Sequence, residues 1–308
     1  NRATSLTIKA SGTPIRIAGS RTGSTLAIAI EKHVLFYDLD AVLPRFVPIP
    51  EARFSAGPRF LDDHHVVYVR DSAWTLLDLA TGATTTLPPL GAPRGITSPT
   101  DGSYFVVEDV EGTLTRVGLD GSSSSLGAGF AIAAGSRVLI AKDRTLRTSD
   151  PTPRLLATAA GPLARTTTRA NDRYLAYAIG AELTRLELRT GVTEHARLGR
   201  APASLVLTPS GIVYASTETE VWRWDGAAPV RHATTPRRIT ALGFERDHPI
   251  AMLDTLSWFD LARGELIFPV QTTRASWAEQ ADLAVIGDGK SILLFDLDVL
   301  PIQGLRVK

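Results

Sequence analysis

A unit of about 37 residues recurs eight times along the 308-residue chain, and each copy reads as four short strands and three tight turns. One such unit has too little core to stand alone, so the copies must stack on one another. The clearest landmark is an aromatic residue or leucine followed by an acid and a turn: Tyr37-Asp38, Leu77-Asp78, Trp224-Asp225, Phe259-Asp260 and Phe295-Asp296. Weaker copies stand at Val117-Gly118, Thr148-Ser149 and Leu186-Glu187. Counted on the last residue of each pair, the steps are 40, 40, 31, 38, 38, 35 and 36. That is the size of one blade of a β-propeller. The predicted fold is therefore all-β, a β-propeller of eight four-stranded blades. Seven is the alternative count, because the unit from Phe130 to Ala159 is short and weakly marked.

Two further landmarks define the strands. A polar turn precedes an apolar run in the middle of each unit, as in Ser98-Pro99-Thr100-Asp101-Gly102 before Tyr104-Phe105-Val106, or Thr208-Pro209-Ser210-Gly211 before Ile212-Val213-Tyr214. This turn joins the first strand to the second. A short polar stretch ending in glycine follows the landmark pair at Asp78 to Gly82, Glu187 to Gly191 and Asp260 to Gly264. Glycine there permits the positive φ that returns the third strand into the fourth. Apolar residues alternate or cluster in short runs and never keep a helical spacing.

These landmarks resemble the WD40 and YVTN type of bacterial β-propeller, over essentially the whole chain. Ser98 to Gly102 is similar to that family's "SPDG" turn, and the aromatic-acid pairs to its "WD" element. Only Trp224-Asp225 is a literal copy, and no Gly-His pair opens any unit. The resemblance implies a rigid platform that docks proteins or peptides on one face.

Residues 1–308 are expected to form one domain, since no linker interrupts the repeat. The chain starts at Asn1 without methionine, which suggests a module of something longer with a covalently linked neighbouring domain. Net charge is +1, from 33 basic and 32 acidic residues, too balanced to favour nucleic acid or an anionic membrane. No apolar run is long enough to span a bilayer. Cysteine is absent, which removes thiolate catalysis, thiolate-ligated zinc and disulfides. The compartment stays open, with the cytoplasm as default.

Several groups of chemistry-bearing residues read as turns. Asp62-Asp63-His64-His65 has the side chains of a divalent-cation site but falls in a first-to-second-strand hairpin, blades away from His248. Gly287 to Ser291 resembles the end of a phosphate loop, yet a strand rather than a helix follows it. Asp38 with Asp40, and Asp296 with Asp298, fit turns that cap their own backbone better than paired catalytic acids. No Gly-x-Ser-x-Gly elbow occurs. No metal, cofactor or catalytic residue is expected.

Arginine at the start of the first strand is the expected binding feature. Arg16, Arg94, Arg165 and Arg274 each stand four residues before the turn, with Arg59 and Arg238 close but out of register. In a propeller this strand lines the channel, so these residues should form a partial ring at one mouth. Guanidinium groups there would grip carboxylates or phosphates of a partner, while acids of the second-to-third-strand loops, among them Glu31, Asp71, Glu108, Asp109, Asp143, Glu218 and Asp288, would neutralise them from within. The function expected is a non-enzymatic scaffold or recognition module for a protein or peptide, acidic in character. A channel-centred hydrolase of lactonase or glycosidase type is the alternative.

Overall fold

The computed structural model describes residues 14–19, 25–30, 33–38, 54–70, 73–245, 248–254, 258–268, 274–278, 283–287 and 292–296. Side chains are described over 58–69, 73–243, 249–254 and 259–266, and at Ala27. These residues form eight antiparallel sheets in chain order, six of four strands and two of three. The three-stranded sheets are the first (Pro14–Gly19, Thr25–Ile30, His33–Asp38) and the eighth (Arg274–Ala278, Leu283–Gly287, Ile292–Asp296). Candidate strands at residues 5–9 and 302–307 lie outside the described residues. The only described helix is one 3₁₀ turn, Arg165–Thr167.

Within every sheet the strands pair in sequence order as a meander, as expected from turns of two to six residues. The first strands of successive sheets touch one another: Pro14–Gly19 with Phe54–Phe60, Pro93–Thr97 with Phe130–Ala134, Thr168–Ala170 with Ser204–Leu207, and Ser204–Leu207 with Ile239–Glu245. Pro14–Gly19 also meets Arg274–Ala278, so the first and last sheets are neighbours. First strands are thus innermost and fourth strands outermost. The exposed serines and threonines of Thr84–Thr86 and Ser123–Ala128 keep those outer edges polar.

The core lies between sheets. Leu61, Val67 and Trp74 of the second sheet pack with Phe105, Val107 and Val117 of the third. Tyr104, Val106 and Leu114 meet Ala131, Val138 and Ile140 of the fourth, and Leu139 and Leu146 meet Leu175 and Leu186 of the fifth. Alternation explains this: successive residues of each second strand face opposite neighbours, so runs such as Tyr104–Asp109 are apolar on both faces. Each fully buried leucine or phenylalanine there stabilises by about 1.5–3 kcal/mol.

Turns fix the register. Asp78 Oδ1 accepts from the backbone N–H groups of Ala80 and Thr81, and Asp260 Oδ1 from those of Ala262 and Arg263. The chain then reverses through Gly82, Gly191 and Gly264 at φ 74°, 75° and 73°. The acid of the landmark pair is therefore a turn cap, as its repetition implies. Neighbouring sheets are also clasped at both ends. At one end Ser98 Oγ donates to Leu61 O, Ser136 N to Asp172 Oδ1, and Asn171 Nδ2 to Thr208 O, at 3.2, 2.7 and 2.8 Å. At the other, the carbonyls of Gly112, Asp143 and Glu218 accept from Gly129, Leu163 and Ile239 N–H, each at the entry to the next sheet.

Candidate functional site

The mouth built from second-to-third-strand turns carries the arginines that the sequence singles out, apart from Arg59. In the third sheet Pro93 pairs with Asp109 and Gly95 with Glu108, so Arg94 is the extra residue of a β-bulge. Glu108 stands one residue before the end of the apolar strand Tyr104–Asp109 and is only 2% exposed. Arg94 Nε lies 3.7 Å from its Oε1, and Arg165 Nη2 bonds its Oε2. The Arg165 guanidinium also sits over the Phe130 ring, 5.3 Å from its centre. It thus reaches from the fifth sheet across the entry of the fourth to the third. One buried carboxylate holds two guanidinium groups whose side chains are 63% and 43% exposed. The cluster keeps a surplus positive charge facing solvent, and each arginine retains unused donors.

Arg165 stands in the 3₁₀ turn ahead of Thr168–Ala170 rather than in the strand itself. Arg169 Nη1 donates to the carbonyls of Arg165 and Thr168 at 2.8 and 2.9 Å, bracing that turn. Arg238 directly precedes Ile239–Glu245, is exposed, and accepts from Asp254 N–H through its carbonyl. Arg16 and Arg274 lie near the mouth ends of their first strands, opposite Ala29 and Gly287, but their side chains lie outside the described residues. Arg59 departs from the expected rim. It is the next-to-last residue of Phe54–Phe60 and pairs with Val67, beside the hairpin at the other end of the strand. Arg200 was not singled out by spacing, yet its Nη1 is 3.1 Å from Glu218 Oε2 at the mouth. It lies in the connection before Ser204–Leu207, where no strand periodicity points to it.

Other mouth acids are also occupied. Glu182 pairs with Arg197 and Glu220 with Arg231, at 3.0 and 3.4 Å. Asp109 Oδ1 caps its own turn, accepting from Glu111 and Thr113 N–H. Glu31, Asp71 and Asp288 lie outside the described residues.

The Asp62 to His65 group is a turn. Asp62 Oδ1 accepts from His64 and His65 N–H, and its Oδ2 is 2.7 Å from His65 Nδ1. Burial opposes ionisation of Asp62, but the His65 ring and those backbone donors together hold its carboxyl below the ordinary value of 3.8. Among the described residues no three metal-capable side chains come together. Around Gly287 the flanking segments pair as antiparallel strands, Gly287 opposite Ile292, so a strand stands where a phosphate loop has its helix. The side chains of Asp38, Asp40, Asp296, Asp298 and His248 lie outside the described residues.

Sequence reasoning passed over a second family of arginines, at or just before the landmark of the third strand: Arg116, Arg147, Arg185 and Arg223. Arg185 is 8% exposed; its Nε donates to Glu194 at 2.7 Å, its Nη1 to Gly211 O at 2.5 Å, and its guanidinium lies over Tyr174 and Trp224. It joins the fifth sheet to the sixth. Arg223 is 3.0 Å from Asp225. The recurrence of arginine in four successive units was the available signal.

No protein-family model and no curated protein matches the sequence. Solved structures do resemble the fold. The computationally designed Ika8 protein superposes with a TM-score of 0.60 at 15% identity, over 93% of this chain and 97% of its own. The dihydro-heme d1 dehydrogenase NirN, in complex with DHE, gives 0.61 at 15% identity, over 92% of this chain and 73% of its own. Kluyvelomyces marxianus Hsv2 gives 0.54 at 11%, over 81% and 93%. NirN and Hsv2 are both β-propeller proteins, and with the sheet arrangement they identify the fold of this chain as a β-propeller.

Proposed function

We propose that this chain is a non-enzymatic interaction platform of eight blades, one for each sheet, whose arginine-bearing mouth receives an acidic segment of a protein partner. The observation that carries this reading is the Arg94–Glu108–Arg165 cluster. A buried carboxylate positions two arginines from different sheets and leaves their outward donors available, so little side-chain entropy is lost on binding. Arg238 adds an exposed cation just ahead of the first strand of the seventh sheet.

The test is fluorescence anisotropy with a labelled poly-glutamate peptide, titrated with the intact chain at two salt concentrations. Arg94→Gln combined with Arg238→Gln is expected to weaken binding by about tenfold or more, the loss of two charge-assisted hydrogen bonds. Affinity should also fall with salt. Unchanged affinity in the double variant removes the reading. Turnover of lactone or glycoside substrates by the unaltered chain would favour the hydrolase alternative.

A further inference from the structure

We infer that the seam between the third and fourth sheets is a binding site for a phosphoryl dianion, gripped by Arg116 and Arg147. The argument comes from comparison with the seam between the fifth and sixth sheets, which is complete. There Arg185 lies over Tyr174, the first residue of its sheet's second strand, and over Trp224 of the next sheet. Its charge is met by Glu194, its cross-strand partner on the outermost strand.

Arg116 holds the same place in the third sheet, with its guanidinium 4.0 Å from the centre of the Tyr104 ring, again the first residue of the second strand. Its cross-strand partner on the outermost strand is Ser124. A neutral hydroxyl therefore stands where Glu194 stands two sheets on. The residue facing it across the seam differs as well. Thr148 N–H closes its turn on Arg154 O, as Asp78 does on Ala83 O and Glu187 on Val192 O. Arg147 consequently occupies the landmark position filled by Leu77, Leu186 and Trp224 elsewhere. Its Nη2 crosses the seam to Leu126 O of the third sheet, at 2.5 Å.

Two guanidinium groups thus enter one seam, and among the described residues neither pairs with a carboxylate. Arg116 Nε is buried without a hydrogen-bond partner. The nearby Asp120 is engaged by its own turn, accepting from Ser122 N–H and Oγ. An unmade buried donor and two like charges both destabilise the seam, and one bound oxyanion relieves both. Two positive charges call for a dianion, and a phosphoryl group carries about −1.5 to −2 at neutral pH where a carboxylate carries one negative charge. The exposed hydroxyls of Ser122 to Ser125 border the opening. This site is on the seam and not at the mouth, so it stands or falls apart from the acidic-partner reading.

The experiment is calorimetric titration of the intact chain with inorganic phosphate, ionic strength being held constant with chloride, alongside thermal unfolding with and without phosphate. Saturable binding is expected, and Arg116→Gln and Arg147→Gln should each weaken it by about tenfold or more. Ser124→Glu supplies the carboxylate that Glu194 supplies elsewhere. It is expected to raise the unfolding midpoint without phosphate and to abolish the phosphate response. Phenyl phosphate binding more tightly than phosphate would identify the occupant as an organic phosphoester, and equal binding as the free ion. The proposal is overturned if the three variants respond to phosphate as the parent does, or if acetate at the same ionic strength protects as well.

Discussion

His232 and Gly135 show how single residues are read from their neighbours. The Tyr214 ring meets His232 edge-on with centres 5.1 Å apart, and burial first, then the nearby Arg223 cation, lowers the histidine below its ordinary 6.5. The unfolded chain takes up the proton near 6.5 while the folded one resists, so the unfolded state binds more protons there and stability falls as pH drops through that value. His232→Phe keeps the ring contact and should flatten this slope, measured as urea midpoints at about pH 7.5 and about pH 5. Asp62 acts at lower pH. Its lowered folded value means that its contribution is present above 3.8 and is lost as pH falls through the folded value. Gly135 sits at φ 58°, and a Cβ there would fall 1.9 Å from Asp172 Cγ, the carboxyl that accepts Ser136 N–H. Gly135→Ala is expected to cost about 1–2 kcal/mol in chemical denaturation, from left-handed strain and a displaced inter-sheet clasp. The glycine itself is visible in the sequence, but the carboxyl packed on it comes from the next sheet and is not.

At the scale of the element, hairpins were legible because their turn chemistry is local. Glycine and aspartate at fixed offsets set the reversal after the third strand wherever they occur. The fourth sheet is the exception that tests this. Its landmark reads as Thr148-Ser149 by sequence, yet the turn bond from Thr148 N–H to Arg154 O places the pair one residue earlier. With arginine in the apolar position the pattern carries no phase, and only the hydrogen bond fixes it. Two-residue turns give a further prediction. Asp143 opens the turn between Lys142 and Thr145 at φ 52°, where the fifth sheet has Gly180 at φ 58°. Asp143→Gly should therefore raise stability by up to about 1 kcal/mol in urea unfolding, since the left-handed strain outweighs the entropy that glycine loses. Conversely, Glu194→Gln leaves Arg185 buried between sheets with its charge uncompensated, and should cost about 1–3 kcal/mol by the same measurement.

For the whole molecule, the core clusters among the described residues are each shared by two sheets, so no sheet owns the surface that stabilises it. The first sheet meets the second and the eighth through Pro14–Gly19. Removing residues 1–38 is expected to uncover apolar surface on both neighbours, lowering the unfolding midpoint and driving self-association, read by light scattering on size exclusion. Unchanged mass and midpoint would contradict a ring closed through that strand.

The sequence alone determined the all-β class, the repeat, the hairpins and the propeller, because each depends on alternation and turn residues within one unit of about 37 residues. The mouth was half legible: Arg94 and Arg165 follow from the repeat, while Arg238 and Arg59 stand out of register with it, and Arg59, one residue before the end of its strand, falls beside the opposite hairpin. Tertiary structure decided which charges meet. Glu108 takes arginines 14 and 57 residues away in the chain, and Arg116 and Arg147 enter one seam from two sheets, because stacking neighbouring sheets brings together side chains whose pairing no spacing within a single unit encodes.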